Sequence, residues 1–285
     1  GSGGLVMQID INDGLLSGLG APLADVMTNR LTGGVYRYRW VIFAILLTAY
    51  FFVYFQRMTV GIVGKSIVEE VGGDVGLLSA VYFWTYASMQ IPSGLISDRF
   101  GPRKATFSFL FLASIGSLLT AAGGSFAAMV VGKAMIAAGM AVVYIPLMKI
   151  ISVWFPKTDF PQLNGIVIAV GNVGAIAASA PLQFLANEMG WRGAFYLLGA
   201  VTLILSLLCV ILIRDHPKDK GLPGMEALAP KDYDEATDAR IPVFKGLAMV
   251  FTGGRKFWPM ALAYFAVYGS IMVFQGTWAK YYFNE

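Results

Sequence analysis

Charged residues are scarce in this sequence, and their scarcity excludes an ordinary soluble domain. Only 13% of the 285 residues are charged, 57% are hydrophobic, and the mean hydropathy is +0.66. Soluble domains carry roughly 25% charged residues. The composition therefore indicates a protein whose partner is the lipid bilayer. The net charge of +4 is explained by basic membrane loops, so we expect no nucleic-acid partner.

Cysteine and histidine are almost absent, which excludes two common kinds of framework. The one cysteine, Cys209, lies in an apolar run, so the chain has no disulfide framework. The one histidine, His216, lies beside Asp215 and Pro217 in the predicted cytoplasmic linker, where we expect it to be solvated instead of bound to a metal. The sequence also shows no pattern of nucleophile and base. We therefore expect neither an enzyme nor a bound cofactor or metal.

Long apolar runs predict an all-α membrane protein with seven spans. A membrane-spanning helix needs about 20 apolar residues, and runs of that length recur along the chain. The predicted spans are residues 40–66, 75–97, 105–123, 126–155, 161–186, 192–213 and 257–280. Six helices would form one bundle, and the seventh would begin another.

Segments without a span divide the chain into domains. Residues 1–34 are glycine-rich and weakly amphipathic, and we expect a leader that is disordered or extraneous. Residues 35–213 form the predicted six-helix bundle, and residues 214–256, rich in proline, glycine and charge, form a predicted cytoplasmic linker. Residues 257–285 would then start a second bundle. Because this last helix has no partners in the sequence, we expect the C-terminal bundle to be missing.

The distribution of basic residues predicts the orientation of the bundle. Lysine and arginine favour the cytoplasmic side of a membrane. With the N-terminus inside, the inner segments hold 15 bases and the outer loops hold only Lys65 and Arg192. The pattern therefore predicts a multi-pass protein of the inner membrane with a cytoplasmic N-terminus.

Two short segments indicate an internal repeat. Residues 92–103 read PSGLISDRFGPR and residues 181–192 read PLQFLANEMGWR, at an offset of 89. The matched pairs are Pro92 with Pro181, Gly101 with Gly190, and Arg103 with Arg192. Because an odd number of spans separates the copies, they would lie on opposite sides of the membrane. This arrangement is typical of the three-plus-three inverted repeats of transporters, with a chance match as the alternative.

The stretch GLISDRFGPRK at residues 94–104 resembles the G-x-x-x-D-R-x-G-R-[RK] signature of the major facilitator superfamily. The signature positions are Gly94, Asp98, Arg99, Gly101, Arg103 and Lys104. The segments WFP (154–156), GWRGAF (190–195) and FQGTWA (274–279) extend the resemblance over roughly residues 36–285. It implies twelve helices in two halves, of which this chain holds the first half and the seventh helix. It also implies secondary transport by alternating access.

The resemblance implies that the residues of this signature form a cytoplasmic gate, which latches onto a counterpart in the second half. Elementary electrostatics adds a reason for such a contact. Asp98 lies near the C-terminal end of a predicted helix, where the helix dipole disfavours an anion. The carboxylate therefore needs a base or another helix N-terminus as a partner. The alternative is an ordinary basic loop with an incidental acid.

Three basic residues lie inside predicted spans and are candidates for function, because charge in the bilayer is costly. Arg57 and Lys133 lie about 13 Å and about 10 Å from the predicted outer ends of their helices, at about 1.5 Å per residue. Two cations at a similar depth predict a binding site for an anion. Lys149 lies nearer the cytoplasmic end, where it either adds a further cation to the site or extends to the interface. For each, a structural role in the bundle is the alternative.

Aromatic and amide side chains in the spans are candidates for lining the cavity, although ordinary helix packing is the alternative for each. These residues are Tyr50, Tyr54, Tyr86, Asn172, Tyr268 and Gln275. The segments around Arg57 and Lys149 are similar to the organic-anion and organophosphate branches of the superfamily. Those branches often carry an aspartate before the arginine, and Gln56 stands at that position here.

The most specific prediction is a secondary transporter for a small organic anion, held by Arg57 and Lys133. The family resemblance implies coupling to a proton or a sodium ion. The alternative is a transporter-like sensor that binds its ligand and signals through residues 214–256 without net flux.

Overall fold

The computed structural model describes residues 21–224, 252 and 257–273, and the regular secondary structure in these residues is helical. The α-helices are α1 Ala21–Val71, α2 Val75–Ser88, α3 Gln90–Phe100, α4 Pro102–Ala122, α5 Phe126–Ala141, α6 Tyr144–Trp154, α7 Phe160–Ala177, α8 Ala180–Leu212 and α9 Phe257–Val273. Two short 3₁₀ turns lie at Lys157–Asp159 and Pro217–Lys220. The predicted all-α membrane class is confirmed.

Five stretches of the described chain are long and apolar enough to cross a membrane. They are Gly33–Val71, Pro102–Ala122, Phe126–Trp154, Lys157–Ala177 and Ala180–Leu212. The span predicted at 75–97 is instead divided into α2 and α3, of 14 and 11 residues, so neither part alone reaches the length of a span.

Prolines explain why three of the predicted spans are interrupted. Breaks occur between α2 and α3, between α5 and α6, and between α7 and α8. Each break lies within one turn before a proline, namely Pro92, Pro146 or Pro181. Because proline has no N–H, it removes the bond to the carbonyl four residues earlier and its ring crowds that carbonyl. The bundle is therefore built from discontinuous helices.

The first helix is longer at both ends than the predicted span 40–66. It begins at Ala21, inside the segment expected to be a leader, and ends at Val71. The sequence-based boundaries followed the apolar run, but the hydrogen bonds of a helix can continue through polar residues outside that run. The helix ends where Gly72 adopts a φ of 80°, which favours glycine.

Helices α1 to α8 belong to one compact unit, and α9 belongs to a second. In the first unit, α4 packs against α5 and α8, and α1 packs against α7 and α8. Gly174 on α7 allows a close approach, because a Cβ there would clash with the carbonyl oxygen of Phe51 on α1.

In α9 most described side chains are exposed. The end of the seventh predicted span, 274–280, lies outside the described residues.

The internal repeat appears in the backbone at its two glycines. Gly101 has φ 81° and ψ 157°, and Gly190 has φ 71° and ψ 164°. This region of backbone space is essentially restricted to glycine. Two positions 89 residues apart therefore make the same tight turn, one before α4 and one within α8, where it divides the helix.

The repeat also appears in two arginines with reciprocal contacts, which we call the arginine clamps. Near the start of α4, Arg103 donates through Nε to the carbonyl of Val210 at 2.8 Å, near the end of α8. Just after the turn in α8, Arg192 donates through Nη1 to the carbonyls of Ala121 and Gly123 at 2.8 and 2.7 Å, at the end of α4. Because the last carbonyls of a helix lack internal partners, each arginine completes the helix end of its neighbour.

The two glycine turns provide a matched test of the repeat. Gly101→Ala and Gly190→Ala both force alanine into a positive-φ conformation, which we expect to reduce the free energy of unfolding by about 1–3 kcal/mol. Gly101→Ala should be the more destabilising, because a Cβ there would also clash with Asp215, whereas open space surrounds Gly190. Thermal unfolding of the purified variants measures the difference. Equal stability of Gly101→Ala and wild type would contradict the assigned turn.

Candidate functional site

Arg57 lies between two tyrosine rings on adjacent helices. Its Cζ atom is 4.7 Å from the ring centroids of both Tyr54, one turn earlier on α1, and Tyr86, on α2. The side chain is half-buried. Aromatic faces stabilise a guanidinium by cation–π attraction, and its planar fork of N–H donors matches the oxygens of a carboxylate or phosphate.

Ring contacts extend from these two tyrosines to three more, and we call Tyr50, Tyr54, Tyr82, Tyr86 and Tyr144 the tyrosine belt. The ring centroid of Tyr50 lies 5.4 Å from that of Tyr54 and 5.5 Å from that of Tyr144. Tyr82 stacks on Tyr86 at 6.1 Å. The belt thus connects α1, α2 and α6, and two of its rings flank Arg57.

Tyr50, Tyr54 and Tyr86 were predicted from the sequence, whereas Tyr82, Tyr144 and Asn164 were not. The Tyr144 hydroxyl donates to Oδ1 of Asn164 at 3.0 Å, which links α6 to α7. A polar residue close to a proline break, such as Tyr144 near Pro146, is a signal that would have indicated it.

Lys133 lies in the interior of the bundle, with only 1% of its surface exposed. Its Nζ donates to Oγ1 of Thr59 at 2.6 Å and lies 5.6 Å from the ring centroid of Tyr82 and 5.2 Å from that of Phe195. Because Tyr82 stacks on Tyr86, which covers Arg57, the two cations are joined through a pair of rings. The structure therefore brings Arg57 and Lys133 into one neighbourhood but different environments.

An uncharged polar network fills the core beside Lys133. Gln56 is fully buried and donates through Nε2 to Oγ1 of Thr202 at 2.8 Å. Its Oε1 accepts from Ser117 at 3.3 Å, and its carbonyl accepts from Thr59 at 2.8 Å. The position where related branches often carry an aspartate is therefore an amide that connects α1, α4 and α8. Among the described residues, the buried charged side chains are Arg39 and Lys133.

Three further residues were predicted to line the cavity, and the structure describes two of them. Asn172 is exposed, and its amide donates to the Ile168 carbonyl of its own helix at 2.9 Å. Gln275 lies outside the described residues. Tyr268 stacks on Tyr264 at 5.7 Å within α9, in the second compact unit.

Lys149 contacts the predicted gate instead of the tyrosine belt. Its Nζ lies 2.9 Å from Oδ1 of Asp98 and donates to the Ser97 carbonyl at 3.2 Å. Asp98 was expected to need a basic partner because it lies near a helix C-terminus. That partner is Lys149, on α6. This pairing favours the interface interpretation of Lys149 over the interpretation as a further substrate cation.

The remaining gate residues lie on the same turn, and Asp215 joins them from the end of α8. One carboxylate oxygen of Asp215 accepts the backbone N–H of Arg103 at 2.7 Å, a contact that sequence reasoning missed. Lys104 is exposed, and the Cζ of Arg99 lies 5.6 Å from the Phe100 ring centroid. A Cβ on Gly94 would lie 4.0 Å from Ile145, so the described bundle does not require glycine there.

A bundle with five stretches long and apolar enough to cross a membrane defines a multi-pass membrane protein. The chain belongs to the major facilitator superfamily, whose family model matches residues 46–284. Its family and its curated relatives are transporters, not enzymes.

The curated relatives are named as transporters. The chain is 27% identical over 182 residues to a probable sulfoacetate transporter, SauU, of Cupriavidus necator, covering 63% of this chain and 42% of that protein. It is 25% identical over 203 residues to a probable galactarate/D-glucarate transporter, GudP, of Escherichia coli, covering 67% and 44%. A probable hexose phosphate transport protein of Chlamydia muridarum is 21% identical over 214 residues, covering 74% and 47%. The chain thus spans less than half the length of these relatives.

A solved structure shares the fold. It is a bacterial homologue of the human lysosomal transporter Spinster, in an inward-facing, occupied conformation. The TM-score is 0.56 at 20% identity, and the match covers 64% of this chain and 47% of that chain. At this identity the likeness supports the fold alone, which agrees with a chain that corresponds to the first half of a superfamily member.

Replacing Lys133 with methionine tests whether the buried ammonium supports the fold. Methionine has a similar length and volume, and exchanging a buried charge for an apolar side chain is often neutral or stabilising. We therefore expect Lys133→Met to change the free energy of unfolding by less than about 1.5 kcal/mol. Thermal unfolding checks this, with Lys133→Ala as the cavity-forming comparison. A loss of more than about 3 kcal/mol in Lys133→Met would show that the ammonium itself supports the fold.

Proposed function

We propose that this protein is a secondary active transporter that moves a small organic anion across the inner membrane by alternating access. Membership of a transporter family supports the first part. The anionic substrate is supported by the relatives' names, since sulfoacetate, glucarate and hexose phosphates are all organic anions. In the proposed orientation the N-terminus and the gate at 94–104 face the cytoplasm.

The position of Arg57 is the observation that carries the proposal. A cation near the middle of a span costs about 2.5–3.5 kcal/mol on insertion scales. The two tyrosine rings at 4.7 Å offset part of this, since a cation–π contact contributes about 0.5–2 kcal/mol. A bound anion would add to the existing contacts of Arg57 a charge-assisted hydrogen bond of about 1.5–3 kcal/mol. Arg57 is thus a substrate-binding residue in this proposal, with Tyr54 and Tyr86 holding its guanidinium.

Lys133 has a supporting role in the proposed site. Its ammonium donates to Thr59 and lies behind the Tyr82 ring, so it reaches the substrate through the field of its charge. That field is screened less in the protein interior than in water. Asn172 and Gln275 remain proposed lining residues.

The coupling ion in this proposal is a proton or sodium. The buried residues that the structure describes include no aspartate or glutamate. We therefore assign the coupling group to the substrate or to the second half of the transporter.

Charge removal at Arg57 tests the substrate site. In the full-length protein reconstituted in liposomes, Arg57→Gln should lower the initial rate of organic anion uptake by roughly 10–100-fold, because a hydrogen bond to a charged group contributes about 1.5–3 kcal/mol. Arg57→Lys should retain more activity than Arg57→Gln. Labelled sulfoacetate, glucarate and a hexose phosphate are the probes.

Arg214→Gln is the matched control, because Arg214 bonds to the Ile211 and Ile213 carbonyls at the end of α8, away from the tyrosine belt. Its uptake should stay near that of wild type. The comparison uses the probe that the wild type transports. If the uptake rate of Arg57→Gln stays within about twofold of the wild-type rate, the anion site is not at Arg57.

A charge swap tests whether Asp98 has a second partner beyond Lys149. Their ion pair is partly exposed, with side-chain exposures of 68% and 34%, so it contributes at most about 1 kcal/mol, or roughly fivefold. If Asp98 also has a partner in the second half, Asp98→Asn should reduce uptake by more than roughly fivefold. The double variant Asp98→Lys/Lys149→Asp should then also have low uptake. Swapping the exposed pair Lys65 and Glu69 should leave uptake unchanged. Full recovery in the Asp98–Lys149 swap would reduce the gate to a local ion pair.

A further inference from the structure

An open cavity of about 450 Å³ lies beside the first turns of the α1 span, separate from the tyrosine belt. Its lining comes from α1 and from the segment at and after the second 3₁₀ turn. The lining residues are Gly34, Arg37, Tyr38, Val41, Lys220 and Leu222. Leu222 closes one side by packing on Gly34, where a Cβ would lie 3.4 Å from its Cδ2. We call this space the basic cavity.

The charge of the basic cavity has one sign. Its charged lining residues, Arg37 and Lys220, are both exposed. Among the described residues, neither forms an ion pair with a carboxylate. The two cations therefore face one space and favour an anion there, by the same Coulomb term that would otherwise make them repel.

The cavity has an anchored wall formed by Tyr38. Its hydroxyl donates to the carbonyl of Leu212 at the end of α8, and its ring centroid lies 5.6 Å from that of the buried Trp154. Trp154 is itself fixed, because its Nε1 donates to the Arg214 carbonyl at 3.0 Å. The Lys220 ammonium lies 3.6 Å from the Tyr38 ring centroid. These contacts hold Tyr38 in place, and Lys220 lies on its ring at the wall of the cavity.

The surroundings place the cavity at the edge of the apolar span. Tyr36, Trp40 and Val41 beside it are 46%, 48% and 45% exposed. Tyrosine and tryptophan with an exposed apolar body and a polar tip are typical of the membrane–water interface. The span itself begins at Gly33. An occupant of the cavity would therefore have its anionic group near Arg37 and an apolar part along Val41.

We propose that the basic cavity binds the phosphate group of an anionic phospholipid. Arg37 and Lys220 contact the phosphate oxygens, since both side chains bind phosphate, while Val41 and Leu222 contact the glycerol and the first methylene groups. Basic pockets at the membrane surface recognise lipid head groups in this way. Such binding would hold the segment after α8 against α1. The proposal is independent of which solute is transported.

Lipid-dependent stability tests the site on the full-length protein. The protein is placed in nanodiscs of phosphatidylcholine with increasing phosphatidylglycerol, and its thermal unfolding midpoint is measured. A ligand that binds only the folded state raises this midpoint. For the wild-type protein we expect a rise of roughly 3 °C or more. The variant Arg37→Gln/Lys220→Gln should lose at least half of the rise, and Arg37→Lys/Lys220→Arg should keep it. The control Lys157→Gln/Lys218→Gln removes the same charge from exposed residues outside the lining and should also keep it.

The arms of the experiment separate the two sources of a phosphate group. Millimolar inorganic phosphate is added to the protein in phosphatidylcholine alone. A rise that depends on Arg37 and Lys220 in this arm supports a phosphate site occupied by free phosphate instead of lipid. An undiminished rise with phosphatidylglycerol in Arg37→Gln/Lys220→Gln would overturn the proposal. So would an equal loss in the control, because it would show general surface attraction only.

Discussion

The antiparallel packing of α4 against α8, closed at both ends by the arginine clamps, is the constraint on which the bundle depends. A helix leaves its last carbonyls without internal partners, and in lipid these carbonyls have no water to bind. Arg103 completes the end of α8, and Arg192 completes the end of α4. Acids orient both clamps: Asp215 accepts the Arg103 backbone N–H, and Glu70 accepts from Arg192 Nε at 3.0 Å. The half-transporter is thereby held as one body around its repeat.

Within that frame, Arg57 and Lys133 lie in different environments although the sequence places them at similar depth. Arg57 is half-buried and borders the tyrosine belt, where its fork of donors suits a solute. Lys133 is enclosed with Thr59 and two aromatic rings, where a mobile solute has no described access. The charge that discriminates between substrates is therefore proposed at Arg57, and the charge that sets the local potential at Lys133.

Much of the fold was predictable because lipid imposes simple rules on composition and length. The helical class followed from the apolar runs, and the repeat followed from Gly101, Gly190 and their arginines. The proline breaks were not predicted, since hydropathy measures how apolar a residue is and does not register that proline lacks a backbone N–H. The pairing of Lys149 with Asp98 and the enclosure of Lys133 depend on contacts far apart in the chain. Helical depth along a sequence gives the level of a side chain in the membrane, but the direction it faces comes only from packing.

The most direct measurement is the uptake of labelled organic anions by the purified full-length protein in liposomes, beside equilibrium binding of the same compounds. Glucarate and a neutral hexitol of similar size form a matched pair for the role of charge. The account predicts saturable uptake of an anion, inhibited by other small organic anions and unaffected by the hexitol. Binding of the anion without uptake would contradict the account and would identify a sensor instead of a transporter.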